Sequence, residues 1–230
     1  MKENFIHVCF VIDESGSMYT SQSDVIGGFK KVIDEQKENK NGTCAVSLFK
    51  FEDEVTEVYR GKDVNEVEYL NEKTYNPGGC TAMNDGIGTA IDKIGKWLDG
   101  MKEEDKPEKN LIVIMTDGME NASKEYSGQK VRDMIKHQEE KYSWVFVYLG
   151  TDITDAKAAV DLGISNRGYS SRDNLDSVYT CVNSYLTTYR NTVGDAATKS
   201  MALCCEISGS TTAMNEAYEA EIGQKIENND

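Results

Sequence analysis

An α/β fold, Rossmann-like and doubly wound around a mostly parallel central sheet with one antiparallel edge strand and helices on both faces, follows from three features of the sequence. Runs of β-branched and aromatic residues alternate with amphipathic helical segments along most of the chain, the order that lays helices on both faces of a parallel sheet. Two of the apolar runs stop abruptly on a carboxylate, at Asp13 and at Asp117. A third pair of runs, 44–51 and 55–60, is joined by a link too short for a crossover, so that pair must be antiparallel.

Each element has its own signature. The first strand is expected at 5–12, an apolar run bounded by the polar stretch from Asp13. Ser23-Asp24 offers a cap for a helix in which Val25, Phe29, Val32 and Ile33 recur on one face and Lys30, Lys31, Asp34 and Glu35 on the other. The turn cluster Asn39-Lys40-Asn41-Gly42 then leads to the strand at 44–51 and its hairpin partner. Residues 62–76 are polar without a clear period and are expected to wrap the sheet end and deliver Asn76-Pro77-Gly78-Gly79. Ile87, Ala90, Ile91, Ile94 and Trp97 trace the buried face of a helix at 83–97, and the charged stretch 101–109 reads as a solvated loop. A buried strand ends at Asp117, and Asn121-Ala122-Ser123 leads to a helix through Val131, Met134 and Ile135. A strand at 144–149, a short helix at 155–161, a short strand at 166–169 and a helix at 175–189, with Leu175, Val178, Val182, Tyr185 and Leu186 inward, complete the pattern.

A chain of 230 residues accommodates one such domain with a real core and a short appendage. The domain is expected at 1–190. Beyond it, 191–230 turns to Ser, Thr, Ala, Gly and Glu with a weak helical pattern near 213–222, and is expected to be poorly ordered or loosely docked. Lys and Arg number 25 against 40 Asp and Glu, a net charge of −15 that argues against a nucleic-acid partner. No stretch is apolar for membrane-spanning length, and the N-terminus lacks a signal-like segment, so a cytoplasmic protein is expected. The six cysteines form no Cys-x-x-Cys or zinc-type pattern; Cys9 and Cys44 read as small buried hydrophobes, which suits a reducing compartment.

The candidate chemistry lies at the strand ends, where open α/β sheets place their ligand crevices. Asp13, Ser15 and Ser17 alternate after the first strand, Thr81 closes the loop Gly78-Gly79-Cys80-Thr81, and Asp117 sits in Thr116-Asp117-Gly118. Taken singly, each reads as a helix cap or a turn residue, since Asp, Ser and Thr do that commonly. Two carboxylates, three hydroxyls and water together would suit a small hard cation such as magnesium, which wants octahedral oxygen coordination and keeps water. Because the hydroxyls are neutral, such an ion would keep positive charge with which to attract an acidic group. Asp152 is a further candidate for the crevice rim, with a turn residue as the plainer reading. His7 and His137 read as a strand and a helix-surface histidine rather than as ligands. Cys204-Cys205 is too slight a signal for a redox role.

The joint order of Asp13-x-Ser15-x-Ser17, Gly-Gly-x-Thr81 and Thr116-Asp117-Gly118 resembles the metal-ion-dependent adhesion site of the von Willebrand factor type A domain family, over residues 5–190. Gly27-Gly28-Phe29, Glu120-Asn121-Ala122-Ser123 and the strand at 145–150 resemble most the compact intracellular bacterial and phage members. The resemblance implies that Asp13, Ser15 and Ser17 touch a metal directly or through water, and that Thr81 and Asp117 exchange direct for water-mediated contact in opposite senses. It implies a divalent-metal-dependent protein-binding module holding magnesium or manganese, with calcium possible, to which a partner protein contributes an Asp or Glu. An ATPase or an assembly complex is the kind of partner it suggests, and the helix at 175–189 is the one it implies would shift on engagement. Two other functions compete. A phosphatase-like hydrolase would need an acid two residues after its aspartate nucleophile, and Ser15 stands there; no Gly-x-Ser-x-Gly, phosphate loop or His-Glu-x-x-His is present, so an enzyme is not expected. A scaffold with a purely structural ion is the other.

Overall fold

The computed structural model describes residues 1–150, 158–164, 166–169 and 175–192. Its sheet has six strands, β1 (Lys2–Asp13), β2 (Thr43–Phe51), β3 (Val55–Asp63), β4 (Pro107–Thr116), β5 (Val145–Gly150) and β6 (Asn166–Tyr169), in the order β3-β2-β1-β4-β5-β6. All neighbours run parallel except β2 and β3, the expected antiparallel edge pair. The chain leaves β1 toward β2 on one side and later returns to β4 on the other. The strand order therefore reverses between β1 and β4, and the crevice beyond their carboxyl ends is where such folds bind ligands.

Helices α1 (Gln22–Glu38), α2 (Met83–Asp99), α3 (Gly128–Tyr142) and α4 (Leu175–Asn191) cover the faces. The two-residue period of β1 divides its side chains between two cores. Val8, Phe10 and Ile12 meet Val25, Phe29 and Val32 of α1 and Tyr179, Val182, Tyr185 and Leu186 of α4. Cys9 and Val11 meet Ile87, Ala90, Ile91 and Ile94 of α2 and Val131 and Ile135 of α3. Gly28 lets α1 and α4 approach until a methyl group there would overlap the Tyr179 ring. Among the described residues, no helix is long and apolar enough to cross a membrane.

Four boundaries differ from expectation, three of them through strand pairing. β1 begins at Lys2 rather than near residue 5, and Lys2 N–H donates to Lys106 O at 2.8 Å. That early start gives β4 a partner from Pro107, so the latter part of the expected loop 101–109 is strand, with Pro107 and Lys109 buried; a 3-10 turn, Glu103–Asp105, holds the solvated remainder. α1 is entered through another 3-10 turn, Gly16–Ser21, which leaves Ser23-Asp24 inside the first turn and puts Ser21 at the cap position without a side-chain capping bond. The stretch 62–76 is not merely a wrap: β3 runs to Asp63, and Val64, Val67, Leu70 and Tyr75 anchor the rest in the core. The helix to which Asn121-Ala122-Ser123 leads is α3, which starts after Ser127, whose side chain accepts from Lys130 N–H.

The expected helix at 155–161 is seen at 158–161, and its start, like Asp152, lies outside the described residues. So do the side chains of Leu175, Val178 and Cys181, and the chain from 193, with Cys204, Cys205 and most of the expected tail.

Candidate metal site

Asp13 ends β1 wholly buried, because the strand is central and carries its last residue into the sheet edge. Its Oδ1 accepts from Ser15 N–H at 2.7 Å, which folds the chain back so that Ser15 Oγ and Ser17 Oγ lie 3.1 Å apart and share a hydrogen bond. Its Oδ2 accepts from the Thr116 hydroxyl at 2.6 Å, across the β1–β4 pair that is in register from Ile12 and Met115. Thr116 Oγ1 in turn accepts from Gly118 N–H at 3.1 Å, which turns the chain after β4 toward β1.

The glycine loop is stitched to the first by two backbone bonds, Gly78 N–H to Glu14 O at 2.8 Å and Gly16 N–H to Gly79 O at 3.2 Å. The buried Tyr75 hydroxyl donates to Asp13 O at 2.7 Å and fixes the approach. Gly79 has φ of +70°, a left-handed backbone that favours glycine, and a Cβ on it would push aside the carboxylates of Glu52 and Asp53. Thr81 is tied to the third loop by a reciprocal pair: its N–H donates to Asn121 Oδ1 at 2.9 Å and its carbonyl accepts from Asn121 N–H at 3.1 Å. A Cβ on Gly118 would stand 2.9 Å from Thr81 Oγ1 and 3.4 Å from Asp13 Oδ2. Only glycine lets the three loops close this far.

Asp13, Ser15, Ser17 and Thr81 are thus gathered at one edge, and the buried Asp117 joins them from the residue after β4, near enough for its charge to act on Asp13. Burial is the main cause that pushes the Asp13 carboxyl up to about 6; the Thr116 and Ser15 hydrogen bonds oppose it and the Asp117 charge adds to it. Among the described residues, no lysine or arginine pairs with Asp13. Two buried carboxylates, of which Asp13 is held by the Thr116 hydroxyl and the Ser15 N–H, form with the neighbouring hydroxyls a hard-oxygen donor set that a divalent cation fits, since it would relieve their mutual repulsion. Among the described residues, no group of three or more His, Cys, Asp or Glu gathers to offer another metal cluster. Both nitrogens of the buried His7 are engaged by Asn110 and Ser47, and the exposed His137 lies against Tyr142, so neither stands as a ligand.

Several supporting residues carried no periodic signal. Asp85, in the first turn of α2, accepts from Lys124, Glu125 and Tyr126 N–H at 2.7, 3.0 and 2.8 Å, and Glu120 accepts from Asn84, Ala122 and Ser123 N–H at 2.8, 3.0 and 2.8 Å. Together they clamp the loop after Asp117 onto α2. A cavity of about 810 Å³ opens elsewhere, lined by Ile91, Leu98, Lys109, His137 and Trp144 among others, and includes none of the five candidate ligands.

The sequence model for the von Willebrand factor type A domain matches residues 7–173. No curated protein sequence matches the chain. Solved structures of similar fold include the von Willebrand factor domain of the type V pili tip protein Mfa5 from Porphyromonas gingivalis, with TM-score 0.63 and 11% identity over 83% of this chain and 97% of that one. Proximal thread matrix protein 1 from the mussel byssus, in a form with a zinc-occupied MIDAS motif, matches with TM-score 0.51 and 19% identity over 78% and 45%. The ArnB paralog VWA2 from Sulfolobus acidocaldarius matches with TM-score 0.52 and 13% identity over 80% and 45%. The present chain spans less than half the length of the mussel and Sulfolobus proteins, and at these identities the likeness concerns the fold alone.

Proposed function

Since the chain belongs to the von Willebrand factor type A domain family, we propose that it is a divalent-metal-dependent protein-binding module rather than an enzyme, with Asp13, Ser15, Ser17, Thr81 and Asp117 as its metal ligands. The observation that carries this reading is the buried pair Asp13 and Asp117 at the switch point of the sheet, with Asp13 held by the neutral donors Ser15 N–H and Thr116 hydroxyl. A bound magnesium or manganese ion supplies positive charge and a coordination position for an Asp or Glu of a partner protein, in a molecule whose net charge of −15 would otherwise repel such a residue. Asp13 anchors the set, held by Thr116 and Ser15. Ser17, which is exposed, and Thr81, which Asn121 orients, supply the outer oxygens. The free, buried thiols of Cys9 and Cys44 support a reducing, cytoplasmic setting, and an ATPase or assembly complex is the partner class the family likeness favours.

Calorimetric titration of the metal-stripped protein with magnesium and with manganese tests this. Saturable binding is expected, and Asp13→Ala should abolish it. No heat at millimolar metal would overturn the metal reading, and metal-dependent ester hydrolysis lost in Asp13→Ala would overturn the module in favour of a hydrolase.

A further inference from the structure

Two apolar side chains stand in water on the loops that carry the candidate ligands. Tyr19 follows Ser17 by two residues and Met119 follows Asp117 by two, and each is 70% exposed. The folding of these loops is fixed by the backbone and side-chain bonds already described, and those bonds do not use either side chain. An aromatic and a thioether held out in water flanking a polar centre make a contact surface.

The same rim carries charge of one sign. The carboxylates of Glu52 and Asp53, in the β2–β3 turn, converge over Gly79, the residue whose carbonyl bonds Gly16 between Ser15 and Ser17. Asp53 also accepts from Cys80 N–H at 3.3 Å, next to Thr81, and Glu54 is exposed beside them. The nearby cations do little to offset this. Lys50 is committed to Glu14 at 2.7 Å and to Thr74 O at 2.5 Å, which leaves the exposed Lys124 as one cation facing Glu52, Asp53 and Glu54. A partner offering a bare carboxylate would meet this acidic edge before it reached the site.

Resting on the metal reading above, we propose that this rim selects a partner segment in which the metal-seeking Asp or Glu has a Lys or Arg within about two residues and an apolar side chain beside it. The base pairs with Glu52 and Asp53, and the apolar group lies on Tyr19 and Met119. Charge complementarity fixes the occupant as an exposed segment of a protein with alternating charge, not a uniformly acidic one.

Random peptides displayed on phage, captured on manganese-loaded protein and eluted with chelator, provide the test. Eluted sequences should share an acid with a neighbouring base and an aromatic or aliphatic residue. On a Glu52→Gln/Asp53→Asn variant the base enrichment should vanish, and a synthetic base-bearing peptide should bind roughly fivefold more weakly. Manganese affinity by calorimetry should change by less than about twofold. On Tyr19→Ser/Met119→Ser the apolar enrichment should vanish instead. Acidic peptides that elute with chelator but show neither enrichment, or an unchanged base preference in the first variant, would overturn the rim assignment and leave the metal site standing. Absence of manganese binding in the unaltered protein would instead overturn the reading beneath it.

Discussion

Buried polar groups are handled in opposite ways at the two halves of this sheet. In the lower half, Asn110 Oδ1 can only accept, so His7 Nδ1–H donates to it at 3.0 Å and His7 Nε2 accepts at 2.8 Å from the hydroxyl of Ser47, whose Oγ also accepts from Gly61 N–H at 2.9 Å. Nearby, the buried Arg190 of α4 donates to the carbonyls of Gln36, Asn39 and Asn41 at 2.8, 2.6 and 2.8 Å, covering the acceptors where α1 ends. Each of these bonds joins complementary partners. At the upper edge the buried Asp13 lies in the field of Asp117, and its carboxylate is held by neutral donors, the Ser15 N–H and the Thr116 hydroxyl. Burial drives His7 down to about 4, so it stays neutral, whereas at the upper edge burial and a like charge together raise Asp13 to about 6. Polar groups that satisfy one another hold a fold together; buried like charges mark a place arranged for something else.

If that contrast is right, the lower half should govern stability without touching metal affinity. Arg190→Met should cost about 3 kcal/mol in urea unfolding, because it strips several buried carbonyls of their donor. Its magnesium affinity should match that of the unaltered protein; a parallel loss would show that the two halves are not separate. The next effect is one of pH. His7 titrates near 6.5 when unfolded and about 4 when folded, so between those values the unfolded chain binds more protons. His7's share of the stability, up to about 3 kcal/mol, should therefore rise with pH from 4 to 6.5 and be complete above it, while Asp13, raised from its unfolded 3.8 to about 6, contributes in the opposite sense as pH rises through that range. In His7→Gln that share of the pH dependence should disappear, as comparison of unfolding midpoints at pH 4.5 and 7 would reveal.

The upper edge should behave inversely. Metal at about a hundred times its Kd stabilises a protein that binds it only when folded by roughly 2.7 kcal/mol. Asp13→Asn should lose that gain. The same variant without metal should be more stable than the unaltered protein, by about 1 to 2 kcal/mol at pH 7, since it removes a buried charge and its repulsion. A less stable metal-free Asp13→Asn would mean that the carboxylate is structural.

What could be read from the sequence follows the same division. Apolar runs ending on Asp13 and Asp117, and the spacing of Ser15, Ser17 and Thr81 around them, are local signals, and the strand order then brings those residues to one edge. The entry of Pro107 and Lys109 into β4 was not legible, because it depends on pairing with the start of β1, about a hundred residues away. Nor was the true start of α1, where Ser21, Ser23 and Asp24 are all plausible caps and a 3-10 turn chooses among them. The clamps by Asp85 and Glu120 serve backbone N–H groups of a loop, and no periodicity announces such bonds.

Thr116 offers the smallest and most discriminating test, because it belongs to both descriptions. Its hydroxyl spends its proton on Asp13 Oδ2 and its lone pair on Gly118 N–H, so it both supports the carboxylate and turns the loop that carries Asp117. Thr116→Val keeps the volume and loses both bonds. Metal-free stability should fall by only about 1 kcal/mol, since the lost hydrogen bonds are partly offset by the easier protonation of Asp13. Magnesium affinity should fall roughly tenfold, through a carboxylate no longer held in place. Thr116→Ser keeps the hydroxyl and should restore the affinity while retaining a small loss of packing stability, and that separation of the two readouts is what a residue acting through Asp13, rather than through the core alone, requires.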